Sequence, residues 1–280
     1  MSQDRRHLRF QALALATLAI GLLPVPFSAS ITAPAQLAGA YFGWALAMYL
    51  FAAGGTLVAA LSFERGEPMR PGWLVLSASY LVLVPSMLRN GPKADGLYPL
   101  VATAPWLASL ASIASGVLAV TAFVVLARAW RASGLDGTSR AGRLAARLAA
   151  LAVAAALAGP ELVEKLPATL AGDVVAAGDV FTSMLDVALF VVAIPVLHAA
   201  LGLGGGLVAW PWIMLTASLV AWLGYDATAV YGAIGGLDAR TVRLVEEVMR
   251  TLGAAFAFSA GVAQRWVMAE ALRGPPGAGR

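Results

Sequence analysis

The chain has 280 residues, 60% of them hydrophobic and only 12% charged, with a mean hydropathy of +0.80. Soluble domains carry about 25% charged residues, so the composition excludes a water-soluble domain and predicts an all-α, multi-pass protein of the cell membrane, a single domain over 1–280. The formal charge of +4 arises from 19 Lys and Arg against 15 Asp and Glu. The Arg residues fall mostly in connections and tails, which points to membrane orientation and away from nucleic acid.

Cysteine is absent, which removes disulfides, thiolate metal sites and Cys nucleophiles. The two histidines, His7 and His198, do not make a bis-His haem site. Both lysines, Lys93 and Lys165, fall beside predicted helix ends, so a mid-membrane Schiff-base lysine has no candidate. No cofactor and no metal is implied.

In chain order, the region between Arg9 and Glu64 holds no charged residue, long enough for two spans of about 20 residues each. They are predicted at 10–27 and 37–62, separated by PVPFSASITAPAQ, whose prolines end one helix and start the next. The first also has the basic start, apolar middle and small residues of a signal peptide, in which case seven spans remain. The second carries Gly54 and Gly55, where a neighbour can approach closely.

Further spans are predicted at 71–88 and 98–126. The connection RAWRASGLDGTSRAGRLAAR then sets Arg128, Arg131, Arg140, Arg143 and Arg147 against Asp136, which the positive-inside rule makes cytoplasmic. The segment 142–160 is predicted to sit centrally, because Ala145, Ala149, Ala152, Ala156 and Gly159 form a stripe of small residues. An outer loop, ELVEKLPATLAGD, follows. Spans at 174–201, 208–234 and 241–271 complete eight, with both termini cytoplasmic.

The last three spans carry Asp179, Asp186, Asp226 and Arg250. An ionisable residue at bilayer depth costs a few kcal/mol, so it is normally paired and faces the bundle interior. At about 1.5 Å per residue, Asp226 lies about 12 Å below the outer boundary, with Arg250 at a similar depth and Asp179 and Asp186 straddling it. The seven-residue separation of Asp179 and Asp186 keeps them on one helical face. Arg250 is expected to offset Asp226 or Asp186.

Three carboxyls against one Arg leave an imbalance. Either one Asp is protonated, or a further cation arrives from Arg89, Arg240 or a ligand. Tyr225 and Tyr231 flank Asp226 as polar groups and Trp222 supplies an apolar wall. Glu246 and Glu247 are read as marking the start of the last helix.

The stretches GDVFTSMLD and PWIMLTASLVAWLGYDATAVY resemble the multi-helix membrane input regions of prokaryotic signalling proteins and their stand-alone relatives of unknown role, over about the last third of the chain. Tyr-Pro is often found between the two aspartates in that pattern; here Phe181 and Thr182 stand there. The resemblance implies that Asp179, Asp186 and Asp226 are the polar signature of the fold, and it implies no ligand.

Catalysis is not expected, since no metal-ligand cluster, Ser–His pair or nucleophile with a base can be picked out. The leading expectation is a sensory or accessory membrane protein. Its charged pocket in the outer half of the bilayer binds a small or lipophilic ligand, or a helix of a partner membrane protein. The alternatives are a small proton-coupled secondary transporter or channel and a structural subunit of a membrane complex.

Overall fold

The computed structural model describes residues 3–89, 105–132, 134, 139–202 and 206–272. Its helices are α1 (Gln3–Gly21), α2 (Pro24–Ser30), α3 (Pro34–Leu61), α4 (Arg70–Leu83), α5 (Pro105–Ala132), α6 (Arg140–Leu170), α7 (Val174–Gly202), α8 (Trp210–Ile234) and α9 (Ala239–Leu272). Val84–Arg89 extends α4 as a 3-10 turn and Leu207–Ala209 leads into α8 in the same way. No strand occurs among the described residues.

Local chemistry sets the boundaries. Proline occupies the first turn of α2, α3 and α4, where its missing N–H costs nothing. The Ser139 hydroxyl accepts from Gly142 N at 3.0 Å and caps α6. Two turns share one device: glycine at positive φ stops a helix and aspartate starts the next. Gly172 (φ 92°) is followed by Asp173, whose Oδ1 accepts from Val175 N and Ala176 N. Gly236 (φ 68°) precedes Asp238, whose Oδ1 accepts from Arg240 N and Thr241 N. The Thr241 hydroxyl also donates to Asp238 and holds its exposed carboxyl below the usual range.

Six helices close into a ring in the order α9, α3, α4, α5, α7, α8 and back to α9. Helices α1 and α2 lie outside it against α9, while α6 packs along α7 and reaches α8, covering that seam. The ring is tightest where α9 meets its neighbours. A Cβ built on Gly261 would stand 1.9 Å from the Gly55 carbonyl oxygen, and one on Gly55 would stand 2.5 Å from Phe258 Cα, so the two backbones touch. Ala254, Ala257, Ala260 and Ala263 are fully buried on the same helix. Seryl hydroxyls tie the next joints: Ser77 donates to Ala53 O at 2.8 Å and Ser115 to Ser79 O at 2.9 Å.

Among the described residues, six segments are long and apolar enough to cross a membrane: His7–Ser30, Pro34–Leu61, Trp106–Ala132, Arg140–Leu170, Val174–Ile194 and Leu207–Thr228. Among the eight expected, 71–88 is represented by the 14-residue α4 and its 3-10 extension, and 241–271 by α9, which carries Arg243, Glu246, Glu247 and Arg250. The outward faces are apolar, with Leu50, Leu81, Leu110, Leu148, Met184 and Val220 exposed.

Several expectations are corrected. The first segment breaks at Leu22–Leu23: α1 stops at Gly21, and Pro24 and Pro26 lie in a separate short helix α2 that ends at Ser30, ahead of Pro34 at the start of α3. Phe10 of α1 stacks on Trp210 at 5.8 Å and meets Trp266 edge-on, and the Thr17 and Ser259 hydroxyls are 2.6 Å apart, so this segment is part of the packed bundle. Helix α6 does not end at Pro160. It runs through Pro160 and Pro167 to Leu170, so most of the expected outer loop is helical.

The reason is local to Pro160. Proline has no N–H for the carbonyl of residue 156, and the Tyr231 hydroxyl of α8 donates to Ala156 O at 2.5 Å instead. Nor is α6 central: Ala145, Ala149, Ala152 and Ala156 are exposed, and the buried stripe is Ala150, Ala154 and Ala158. Residues 98–104 of the expected fourth span, Lys93, Asp136 and the tail RGPPGAGR lie outside the described residues.

Candidate functional site

The ring encloses a cavity of about 350 Å³ whose walls come from α3, α4, α5, α6, α7, α8 and α9. On it lie Asp179, Asp186, Asp226, Arg250, Tyr225 and Trp222. Of the residues singled out from the sequence, Tyr231 is not on this wall: its hydroxyl is committed to Ala156, and the residue faces outward.

The charges fall into two sets. On α9, Arg250 Nη1 donates to both Glu247 carboxylate oxygens at 3.0 and 3.1 Å, and Nη2 donates to the Tyr225 hydroxyl at 2.8 Å. The guanidinium carbon also lies 4.9 Å from the centroid of the Tyr225 ring, in the range of a cation–π contact. Arg250 Nε has no acceptor among the described residues. Glu247 is fully buried and also takes Arg243 Nη2 at 2.7 Å. The partner of Arg250 is therefore Glu247, one turn earlier on the same helix, and not Asp226 or Asp186. Spacings of three and four residues put these groups on one helical face, so Glu247 is the buried counter-ion and no mere marker of the helix start.

The second set spans α6, α7 and α8. Lys165 Nζ donates to Glu161 at 2.5 Å and to Asp179 at 2.8 Å, and the Ser183 hydroxyl donates to Glu161 Oε2 at 3.1 Å. The carboxyls of Asp186 on α7 and Asp226 on α8 interact with each other across the two helices on the same cavity wall. The further cation is thus Lys165, which the extension of α6 carries down to the level of Asp179. Arg240 is spent elsewhere, donating to Ser28 O and to Ile31 O and so holding the start of α9 to the end of α2. The side chain of Arg89 lies outside the described residues.

Aromatic groups complete the lumen. Tyr49 and Trp222 have ring centroids 5.9 Å apart, Trp222 and Tyr225 6.0 Å, and the Tyr80 hydroxyl lies 3.5 Å from Ser218 Oγ. The backbone of α9 is held against this wall, since Ser218 donates to Gly253 O at 2.6 Å and a Cβ on Gly253 would stand 2.8 Å from Trp222 Nε1. Tyr49 is 4% exposed, lines the cavity, and its hydroxyl has no hydrogen-bond partner among the described residues.

Glu161, Lys165, Arg243, Glu247, Tyr49 and Tyr80 are the site residues that sequence reasoning missed. The signal for four of them was present as charge spacing: Glu161 with Lys165, and Arg243 with Glu247, each stand four apart, as charged pairs on one helical face do. The two tyrosines had no such mark. Among the described residues no three His, Asp or Glu side chains form a metal-holding group.

No protein-family model, characterised protein or solved structure matches this chain.

Proposed function

We propose that this chain is an integral membrane protein that binds a small or lipophilic ligand in the lumen of its helix ring, acting as a sensory or accessory component. The observation that carries the reading is the lumen itself: a cavity of about 350 Å³, within the size range of small-molecule sites, lined by aromatic rings and convergent polar groups inside an otherwise apolar bundle. The sensory part rests on the resemblance of GDVFTSMLD and the Trp210–Tyr231 stretch to signalling input regions.

The proposed topology has eight crossings with both termini cytoplasmic. It is supported by the Arg-rich connection before α6, and by the apolar outward faces. The lumen charges then belong to the outer half of the bilayer, within about four turns of the helix ends at Leu170, Val174, Ile234 and Ala239.

Ala119 lines the lumen from α5, so Ala119→Trp fills it without touching a charge. Native mass spectrometry of the protein extracted from its own membrane should find a bound molecule on the wild type that the variant has lost. Equal ligand content, or none on either, would overturn the reading.

The neighbouring carboxyls of Asp186 and Asp226 favour one second reading, proton-coupled transport, because interacting carboxyls at membrane depth are a usual relay element. In proteoliposomes that reading requires a proton flux that Asp226→Asn abolishes. Equal flux in both would remove it.

A further inference from the structure

We propose that the lumen ligand is a small organic monocation, an amine with an apolar body, whose charged nitrogen is held by Asp186 and Asp226 and whose body lies against the aromatic wall. This rests on the reading of the lumen as a ligand site and names the chemistry it selects.

Charge comes first. Among the described residues the lumen is lined by three cations, Lys165, Arg243 and Arg250, and five carboxyls, Glu161, Asp179, Asp186, Asp226 and Glu246. All three cations are already engaged: Lys165 by Glu161 and Asp179, Arg243 by Glu246 and Glu247, and Arg250 by Glu247 and the Tyr225 hydroxyl. Asp186 and Asp226 have each other and no ion pair of their own within the described residues. They are the acidic remainder of the site. A negatively charged ligand would find each cation already ion-paired, with Arg250 Nε left as a single N–H without an acceptor among the described residues, and a like-charged wall beside it, whereas an ammonium supplies the missing charge and up to three donors.

The apolar and hydrogen-bonding walls fit the same guest. Trp222 precedes Asp226 by one helical turn and stands beside Tyr49 and Tyr225, and an electron-rich aromatic face favours a cation and its attached methylenes. Tyr49 is an independent sign that the lumen is built for an occupant. More than nine-tenths of it is buried, it lies on the lumen wall, and no hydrogen bond to its hydroxyl is found among the described residues, so the hydroxyl is open to bond a guest as donor or acceptor. A volume of about 350 Å³ admits one such molecule.

The test uses the full chain, purified in detergent at constant sodium concentration, and titrates three isosteres by calorimetry: phenethylamine, the neutral 2-phenylethanol and the anionic phenylacetate. Phenethylamine is expected to bind at least about tenfold more tightly than either of the others. Asp226→Asn should remove that preference, and Tyr49→Phe, which keeps the ring, should weaken the amine while leaving the protein folded. If Asp226→Asn does not fold, the ranking of the three probes on the wild type decides alone. Equal binding of amine and alcohol, or a preference for phenylacetate, would overturn the cation and leave the lumen as a ligand site. Silence from all three overturns it as well. The Ala119→Trp comparison then tells separately whether the lumen holds a ligand at all.

Discussion

At the residue scale, the α9 ion pair sets the largest stability dependence. Glu247 is fully buried and Arg250 is 4% exposed, so Glu247→Gln leaves a buried guanidinium without its anion and should cost about 3–5 kcal/mol. Thermal unfolding of the Glu247→Gln, Arg250→Met double variant should recover most of that loss, whereas pairing Asp226→Asn with Arg250→Met should show no such recovery. A second cycle concerns Pro160. Tyr231→Phe removes the donor that serves the Ala156 carbonyl and should cost about 1 kcal/mol; on a Pro160→Ala background, where a backbone N–H is restored, the same change should cost much less. The sequence marked Asp179, Asp186, Asp226 and Arg250 as residues out of place in apolar segments, and all four do line one cavity. It could not assign their partners, because a partner is chosen by helix rotation. The nearest answer, Glu247, reads in the sequence as an acidic residue marking the start of the last helix.

At the element scale, α3 and α9 depend on contact without side chains. Gly261→Ala would drive a methyl into the Gly55 carbonyl, so it should destabilise by at least about 1–3 kcal/mol. Gly54→Ala, with nothing within 4 Å of the added carbon, should be neutral or slightly stabilising in a chemical unfolding comparison. Equal effects would mean that the helices do not cross there. Apolar runs and proline or glycine boundaries made most helices legible. Helix α6 misled on two points. Its alanines repeat on more than one face, so composition did not say which stripe was buried, and Pro160 read as a stop because its compensating donor lies 71 positions further along the chain, on α8.

At the scale of the whole molecule, the order of packing in the ring was not legible at all. Hydropathy places helices in a membrane, but which neighbour each one takes is decided by fitted surfaces such as Gly55 against Gly261. Hydropathy also understates α9, since a helix sheltered by its neighbours can carry charge. The proposed topology is directly testable because the chain has no cysteine of its own. Single cysteines placed at Ser139 and at Ala171, on opposite ends of α6, should react with a membrane-impermeant maleimide from opposite sides of sealed vesicles. Reaction of both from one side would remove the eight-crossing arrangement.

The ion pairs of α9 also bear on how the chain is made. Arg243, Glu246, Glu247 and Arg250 neutralise one another within two turns of a single helix, so in the proposed topology this segment would enter lipid as a unit with no net charge in that stretch and no need of a waiting counter-ion. Asp179, Asp186 and Asp226 are different: Lys165 already has Glu161 on its own helix, but these three carboxyls interact across separate helices. They become satisfied only when α6, α7 and α8 have met. Those three are consecutive in the chain, so synthesis delivers them together, and the interval in which a bare charge faces lipid is kept to the time needed to extend one helical hairpin and a third helix.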